Sequence, residues 1–196
     1  VLTPEDMQDV LNKGSHWAKQ KGYATDADLD KTEDTGIIQG ADAQDVSDKA
    51  KKRGRNQLGT LGSGNHFIEI QEVETVYDEN VANVFGLTKG QLCIMIHTGS
   101  RGTGHQTCSD YIHKMEDKYG WEHLPDRELT CAPIKSELGT QYRKAMAGAA
   151  NFAFANRQII THQIRNVLKE NFPEADVKVV YDIAHNIAKF EKHVVD

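Results

Sequence analysis

The sequence predicts an α+β fold, a mixed sheet with flanking helices. Apolar runs that alternate as strands, long stretches with helical spacing, and glycine-rich turns between them carry that reading. Thr3 as N-cap, Pro4 at the first helical position and Glu5 and Asp6 in the first turn open a helix. Met7, Val10, Leu11, Trp17 and Ala18 give it one apolar face up to Gly22. Residues 24–42 are acidic and poor in large apolar groups. Asp26, Asp28 and Asp30 alternate as in a calcium loop, but Lys31 stands where the turn needs glycine and Ile37 where a bidentate Glu is needed. A solvated loop is therefore expected there. Residues 43–53 predict a short helix ending at Gly54, and Lys49, Lys51, Lys52, Arg53 and Arg55 form a basic cluster that reads as a solvated face.

Next, a glycine-rich turn feeds an alternating strand in which Ile68 and Ile70 share one face and Phe67, Glu69 and Gln71 the other. The run LCIMIH reads as a buried strand ending at His97, followed by a second glycine-rich turn, TGSRGTGHQ. Cys108, Tyr111, Ile112, Met115 and Tyr119 keep helical spacing up to Gly120, and a long helix spans Ser136 to Asn171 with Ala-rich packing around Met146 to Ala155. After Pro173, alternation of Val177, Val179 and Tyr181 predicts another strand, which delivers Asp182, His185 and Asn186. The helices read as scaffold, and residues 1–196 as a single domain.

Composition narrows the function classes. The chain has 196 residues and a net charge of −6, which argues against a general nucleic-acid coat but leaves room for a local basic groove. No apolar stretch is long enough to span a bilayer, so no membrane partner is expected. Three cysteines (Cys93, Cys108, Cys131) without a CxxC pair give neither a disulfide framework nor a zinc ribbon, so the expected compartment is the reducing cytoplasm. The chain begins at Val1 with no signal peptide, which predicts a numbering that starts inside a longer gene product.

Chemistry concentrates at loop ends. Of nine histidines, His66, His97 and His185 fall at expected strand ends beside small residues, where mixed sheets place ligands. His16, His113, His123, His162 and His193 read as structural or surface residues. Both glycine turns share a GxxGxG spacing, at Gly59, Gly62 and Gly64 and at Gly99, Gly102 and Gly104. That is neither the dinucleotide fingerprint nor a P-loop, although Arg101 places a bidentate phosphate donor in the second turn. There is no GxSxG elbow, and no cysteine sits in a nucleophile context.

The segments LGTLGSGNHFIEIQ, IMIHTGSRGTGHQ and VVYDIAHNIAK, in this order, resemble the RtcB family of GTP- and manganese-dependent RNA ligases. PEDMQDVLNKG, KAKKRG, YRKAMAGAANFAFANR and AKFEKHVVD extend the likeness along the whole chain. The resemblance implies joining of an RNA 3′-phosphate or 2′,3′-cyclic phosphate end to a 5′-hydroxyl end through a GMP-activated intermediate, in tRNA splicing or RNA repair. It makes His66, His97 and His185 ligands of manganese, two ions in the intact enzyme. Asn65, His66, Phe67, Ile68, Glu69, His185 and Asn186 would line the guanylate pocket, and Arg101 would hold an RNA phosphate. Expected partners are GTP, RNA such as tRNA exon halves or broken strands, and an archease-type activator. The compartment is cytoplasmic, with the nucleus open in a eukaryote.

The family's Asp and Cys metal ligands have no counterpart before His66, and its guanylylated histidine is expected C-terminal to Asp196. The chain therefore reads as the central part of a ligase catalytic domain lacking its N- and C-terminal portions, and inactive alone. Two other readings stay open: a metal-dependent phosphoesterase that uses the same three histidines with water, and a non-enzymatic nucleotide- or RNA-binding module.

Overall fold

Gly14 divides the opening helix in two. In the computed structural model, which describes residues 1–195, α1 (Pro4–Lys13) and α2 (Ser15–Gln20) meet at this glycine, whose φ is 54° and ψ −131°. A Cβ there would lie 2.2 Å from the Gly36 carbonyl oxygen, so the sharp break and the close approach both require glycine. The single helix expected up to Gly22 is corrected accordingly.

The segment expected as a solvated loop contains α3 (Asp26–Asp30). Thr25 and Asp28 form a reciprocal capping box, and Asp28 is buried. A carboxylate can be buried there because the Arg165 guanidinium donates to both its oxygens, at 2.7 and 2.8 Å. A 3-10 turn over Ala43–Asp45 and α4 (Asp48–Gly54), capped by the Ser47 hydroxyl, replace the one short helix expected over 43–53.

The rest of the order is β1 (Phe67–Glu72), α5 (Glu79–Phe85), β2 (Leu92–His97), α6 (Arg101–Tyr119) and α7 (Glu137–Asn171). Ser136 caps α7, its hydroxyl accepting from the Gly139 N–H at 3.1 Å. The second glycine-rich turn is shorter than expected, because Gly102 and Gly104 already belong to α6. Gln57 Oε1 accepts the Gly102 N–H at 2.8 Å and so satisfies one of the free donors at that helix start.

The core lies where α1, α2, α4 and α6 pack around α7. Met7, Val10, Leu11, Trp17, Val46, Ala50, Tyr111, Met115, Leu138 and Phe152 form one buried cluster there. Burying a side chain such as Leu11 or Phe152 contributes about 1.5–3 kcal/mol. The Ala-rich run of α7 lets its neighbours approach closely, as the sequence predicts.

β1 and β2 form a two-stranded antiparallel ribbon whose register runs from Phe67 opposite His97 to Glu72 opposite Leu92. β2 is not the buried strand its composition predicts. Among the described residues no layer covers the ribbon face that carries Ile68, Ile70, Leu92, Ile94 and Ile96, and Ile70 and Leu92 are 73% and 69% exposed. Among the described residues the strand expected over Val177–Tyr181 is also absent: the segment has no regular secondary structure, and Thr32 and Asp182 beside it form an isolated parallel bridge. Arg165 Nε takes the Val177 carbonyl at 2.9 Å, so a side chain occupies an acceptor that a neighbouring strand would otherwise use. Among the described residues no helix is long and apolar enough to cross a membrane.

Candidate functional site

Strand register brings the first two histidines together. His66 ends the loop before β1, and His97 closes β2 directly opposite Phe67. Their rings lie 6.0 Å apart between centroids, and the Phe67 ring is 5.2 Å from that of His97. His185 arrives from the segment after α7 and sets its ring edge-on to His97 at 5.2 Å. Three imidazoles remote in sequence thus converge on one end of the ribbon.

The loop before β1 is shaped for this meeting. At Gly62, with φ 111°, a Cβ would fall 2.1 Å from Arg101 Nη1 and 2.5 Å from His66 Nδ1. The guanidinium and the imidazole therefore both fill the space a side chain at 62 would need, an approach to the main chain that only glycine permits. Arg101, itself at φ 54°, donates from Nε to the Thr60 hydroxyl at 3.2 Å, and the Thr98 hydroxyl donates to the Leu61 carbonyl at 2.5 Å. These bonds tie the first glycine turn to the residues that follow β2.

Electrostatics favour neutral imidazole at the centre. Burial pushes the His66 pKa below the usual range, and the positive charge of Arg101 and the neighbouring His97 and His185 push the same way. Its Nδ1 is buried with no hydrogen-bond partner among the described residues. A neutral, unpartnered ring nitrogen is the form that ligates a cation. Imidazoles together with water or carboxylate oxygens suit manganese and zinc alike. As placed, no three His, Cys, Asp or Glu side chains among the described residues form a closed metal-holding group. The three histidines are gathered but not drawn in to coordination distance.

The remaining residues singled out in the sequence surround this point unevenly. Asn65 is exposed beside His66, and Asn186, at φ 59°, is exposed beside His185. Glu69 shares the ribbon face of Phe67 and His97 and accepts from Gln71 at 2.9 Å, whereas Ile68 points to the opposite face. Cys108 and Cys131 are exposed, and Cys93 pairs with Gln71 toward the other end of the ribbon. His113 and His193 bond to Ser109 and Glu191, and His162 packs on Tyr23. A cleft of about 540 Å³ lined by Asp28, Lys31, Arg165 and Lys169 includes none of the three gathered histidines.

Sequence reading missed Asn156, Arg157 and Asp182, polar groups behind the histidines that are buried or nearly so. A signal was present. Asn is a poor choice inside a helix, yet two of them interrupt the apolar run AGAANFAFANR, which points to side chains with backbone partners elsewhere.

A family model described as tRNA-splicing ligase RtcB matches residues 1–196. Proteins named tRNA-splicing ligase RtcB include one from Pyrobaculum aerophilum, 53% identical over 201 residues, covering 100% of this chain and 42% of the relative. Another, from Thermococcus kodakarensis, is 52% identical over 97% of this chain and 41% of its own length. A third, from Methanocaldococcus jannaschii, is 51% identical over 97% of this chain and 20% of its own. The chain thus spans about two fifths of the length of the first two and one fifth of the third.

Proposed function

The chain belongs to the RtcB family, and from that membership we propose that it carries the metal- and guanylate-binding centre of an RNA ligase that joins 3′-phosphate or 2′,3′-cyclic phosphate ends to 5′-hydroxyl ends. One observation carries the reading: imidazoles from three separate segments meet at one end of the ribbon, with a ring nitrogen of His66 buried and unpartnered. In this reading residues 1–196 are the central part of a ligase catalytic domain that acts in tRNA splicing or RNA repair. Its partners are GTP, RNA and an archease-type activator, and its compartment is the cytoplasm.

The residues divide the work by their chemistry. His66, His97 and His185 would hold manganese through their ring nitrogens. Manganese bound there supplies positive charge against the phosphoryl oxygens of nucleotidyl transfer. Arg101, whose guanidinium shares with the His66 ring the space left open beside Gly62, presents a fork of N–H donors to an RNA phosphate. Phe67 packs on the His97 ring and gives the guanylate site an apolar wall on that ribbon face, while Ile68, its side chain on the other face, borders the site by its main chain. Asn65, Glu69 and Asn186 add hydrogen-bonding groups to that site, and Glu69 is suited to accept from a guanine edge. None of these residues is assigned the covalent transfer of GMP; their part in the reading is to bind metal and nucleotide.

Titration with manganese(II) chloride, with free ion followed by its paramagnetic resonance, tests the centre. His97→Ala is expected to weaken binding at least about tenfold, the loss of one ligand from a small set. Unchanged affinity would remove His97 from the site. Labelled GTP with manganese is expected to leave the polypeptide unlabelled, and a covalent guanylate on it would contradict the assignment of that step.

A further inference from the structure

Two adjacent residues of α7 reach the segments that carry all three histidines. Asn156, fully buried, accepts at Oδ1 from the N–H groups of Gly59 and Thr60, at 2.7 and 3.1 Å. From Nδ2 it donates to the carbonyls of Thr60 and Gly99, both at 3.1 Å. One amide therefore holds the turn that leads to His66 against the turn that follows His97. Arg157 donates from Nε to Asp182 Oδ1 at 2.6 Å and from Nη1 to the Thr98 carbonyl at 3.1 Å. It joins the residue after His97 to the segment that delivers His185. A further bond, from the Ala184 N–H to Glu33 Oε2 at 2.7 Å, pins that segment from the other side.

We propose that Asn156 and Arg157 form a positioning clamp, a polar pair on a rigid helix that sets the spacing of His66, His97 and His185 and so the geometry of a divalent-cation site. Neither residue touches the imidazoles in the contacts the structure shows; Asn156 acts through main-chain groups and Arg157 through the Thr98 carbonyl and the Asp182 carboxylate, all of them one to seven residues from a histidine in sequence. The clamp's physical basis is independent of any ion. Among the described residues no apolar layer covers the ribbon, so buried hydrogen bonds from α7 hold the turns that flank it. A side chain whose planar donors engage two partners cannot be replaced by one with a single ammonium, so Lys at 157 keeps the charge and loses the bridge. Asp at 156 keeps the acceptor for Gly59 and Thr60 but turns a second oxygen on the carbonyls of Thr60 and Gly99.

The cation-site part of the proposal rests on the metal reading above, and two separate readouts keep the two apart. In the intact protein without metal, amide hydrogen exchange reads the clamp alone. Arg157→Lys is expected to speed exchange at Asp182 and Ala184 about tenfold or more, and Asn156→Asp, whose second oxygen repels the carbonyls of Thr60 and Gly99 and so drives the two turns apart, to do the same at Gly59 and Thr60, while α1 and α6 keep their protection. Unchanged exchange at those amides in both variants overturns the clamp. Should Arg157→Lys fail to fold, Asn156→Asp alone decides. Manganese(II) titration then reads the consequence: both variants are expected to bind at least tenfold more weakly and with an altered resonance line shape. If His97→Ala weakens binding and the two clamp variants do not, the ligands are right and the clamp does not set their geometry. If His97→Ala changes nothing, the metal reading fails and exchange alone judges the clamp.

Discussion

Phe152 in α7 is fully buried among residues of α1, α4 and α6, whereas Ile70 on the ribbon, an equally apolar choice, keeps 73% of its surface exposed. In the helical body, apolar periodicity turns directly into packing, and stability follows from buried area. On the ribbon side the same kind of residue faces outward, and the loops are held by hydrogen bonds from α7 and by glycines that admit close approach. Stability and site geometry therefore rest on different interactions in the two regions, and α7 is the element they share.

Two Asp–Arg pairs show the same contrast. Burial raises the pKa of Asp28, but donors from Arg165 and the Thr25 main chain outweigh it, so the carboxyl stays below its usual range. For Asp182 burial dominates, with Arg157 offsetting it only in part, and the carboxyl is held above its usual range. Ionised Asp28 thus adds stability that is full above its unfolded pKa of about 4 and is lost as pH falls through the lower folded value. Ionised Asp182 has the opposite sign. Its cost is present above its raised folded pKa and fades as pH falls toward the unfolded value.

The contrast is sharpest under truncation. Phe152→Ala is expected to cost about 3–5 kcal/mol in a urea unfolding titration, while Ile70→Ala stays within about 0.5 kcal/mol. Comparable losses at both positions would mean that the ribbon face is covered in solution. Next in size, Asp28→Asn removes one partner of a buried pair and is expected to cost about 3 kcal/mol at neutral pH. The difference from wild type should shrink as unfolding is repeated at lower pH, below about 4, because both proteins then present an uncharged group. A difference that holds constant with pH would show that Arg165 does not stabilise the charge. A smaller loss than at Asp28, about 1–3 kcal/mol, is expected for Gly62→Ala, which combines an unfavourable φ with collision against Arg101 and His66. Gly64→Ala shares the positive φ but meets nothing within 4 Å, so manganese affinity should drop for the first and hold for the second. Equal affinities would dissociate Gly62 from the histidine cluster.

How much of this was legible beforehand follows the same division. α1, α6 and α7 were readable because their caps and apolar spacing are local properties, as with Thr3-Pro4 and the Ser136 cap. The strand at 177–181 was misread because alternation of Val177, Val179 and Tyr181 says nothing about whether a partner strand exists, and Arg165 takes the Val177 carbonyl. The break at Gly14 depends on the approach of Gly36, and the burial of Asp28 depends on Arg165, both long-range facts. The histidine trio was singled out from its place at expected strand ends and from family resemblance. Its supports on α7 were passed over as scaffold.

The pairing of Phe67 with His97 carries one more consequence. Side-chain direction in a strand has only two values, so the site depends on parity as well as distance. One residue inserted within β2 would leave its composition almost untouched yet rotate the imidazole onto the side that bears Ile68 and Ile96, away from its two counterparts.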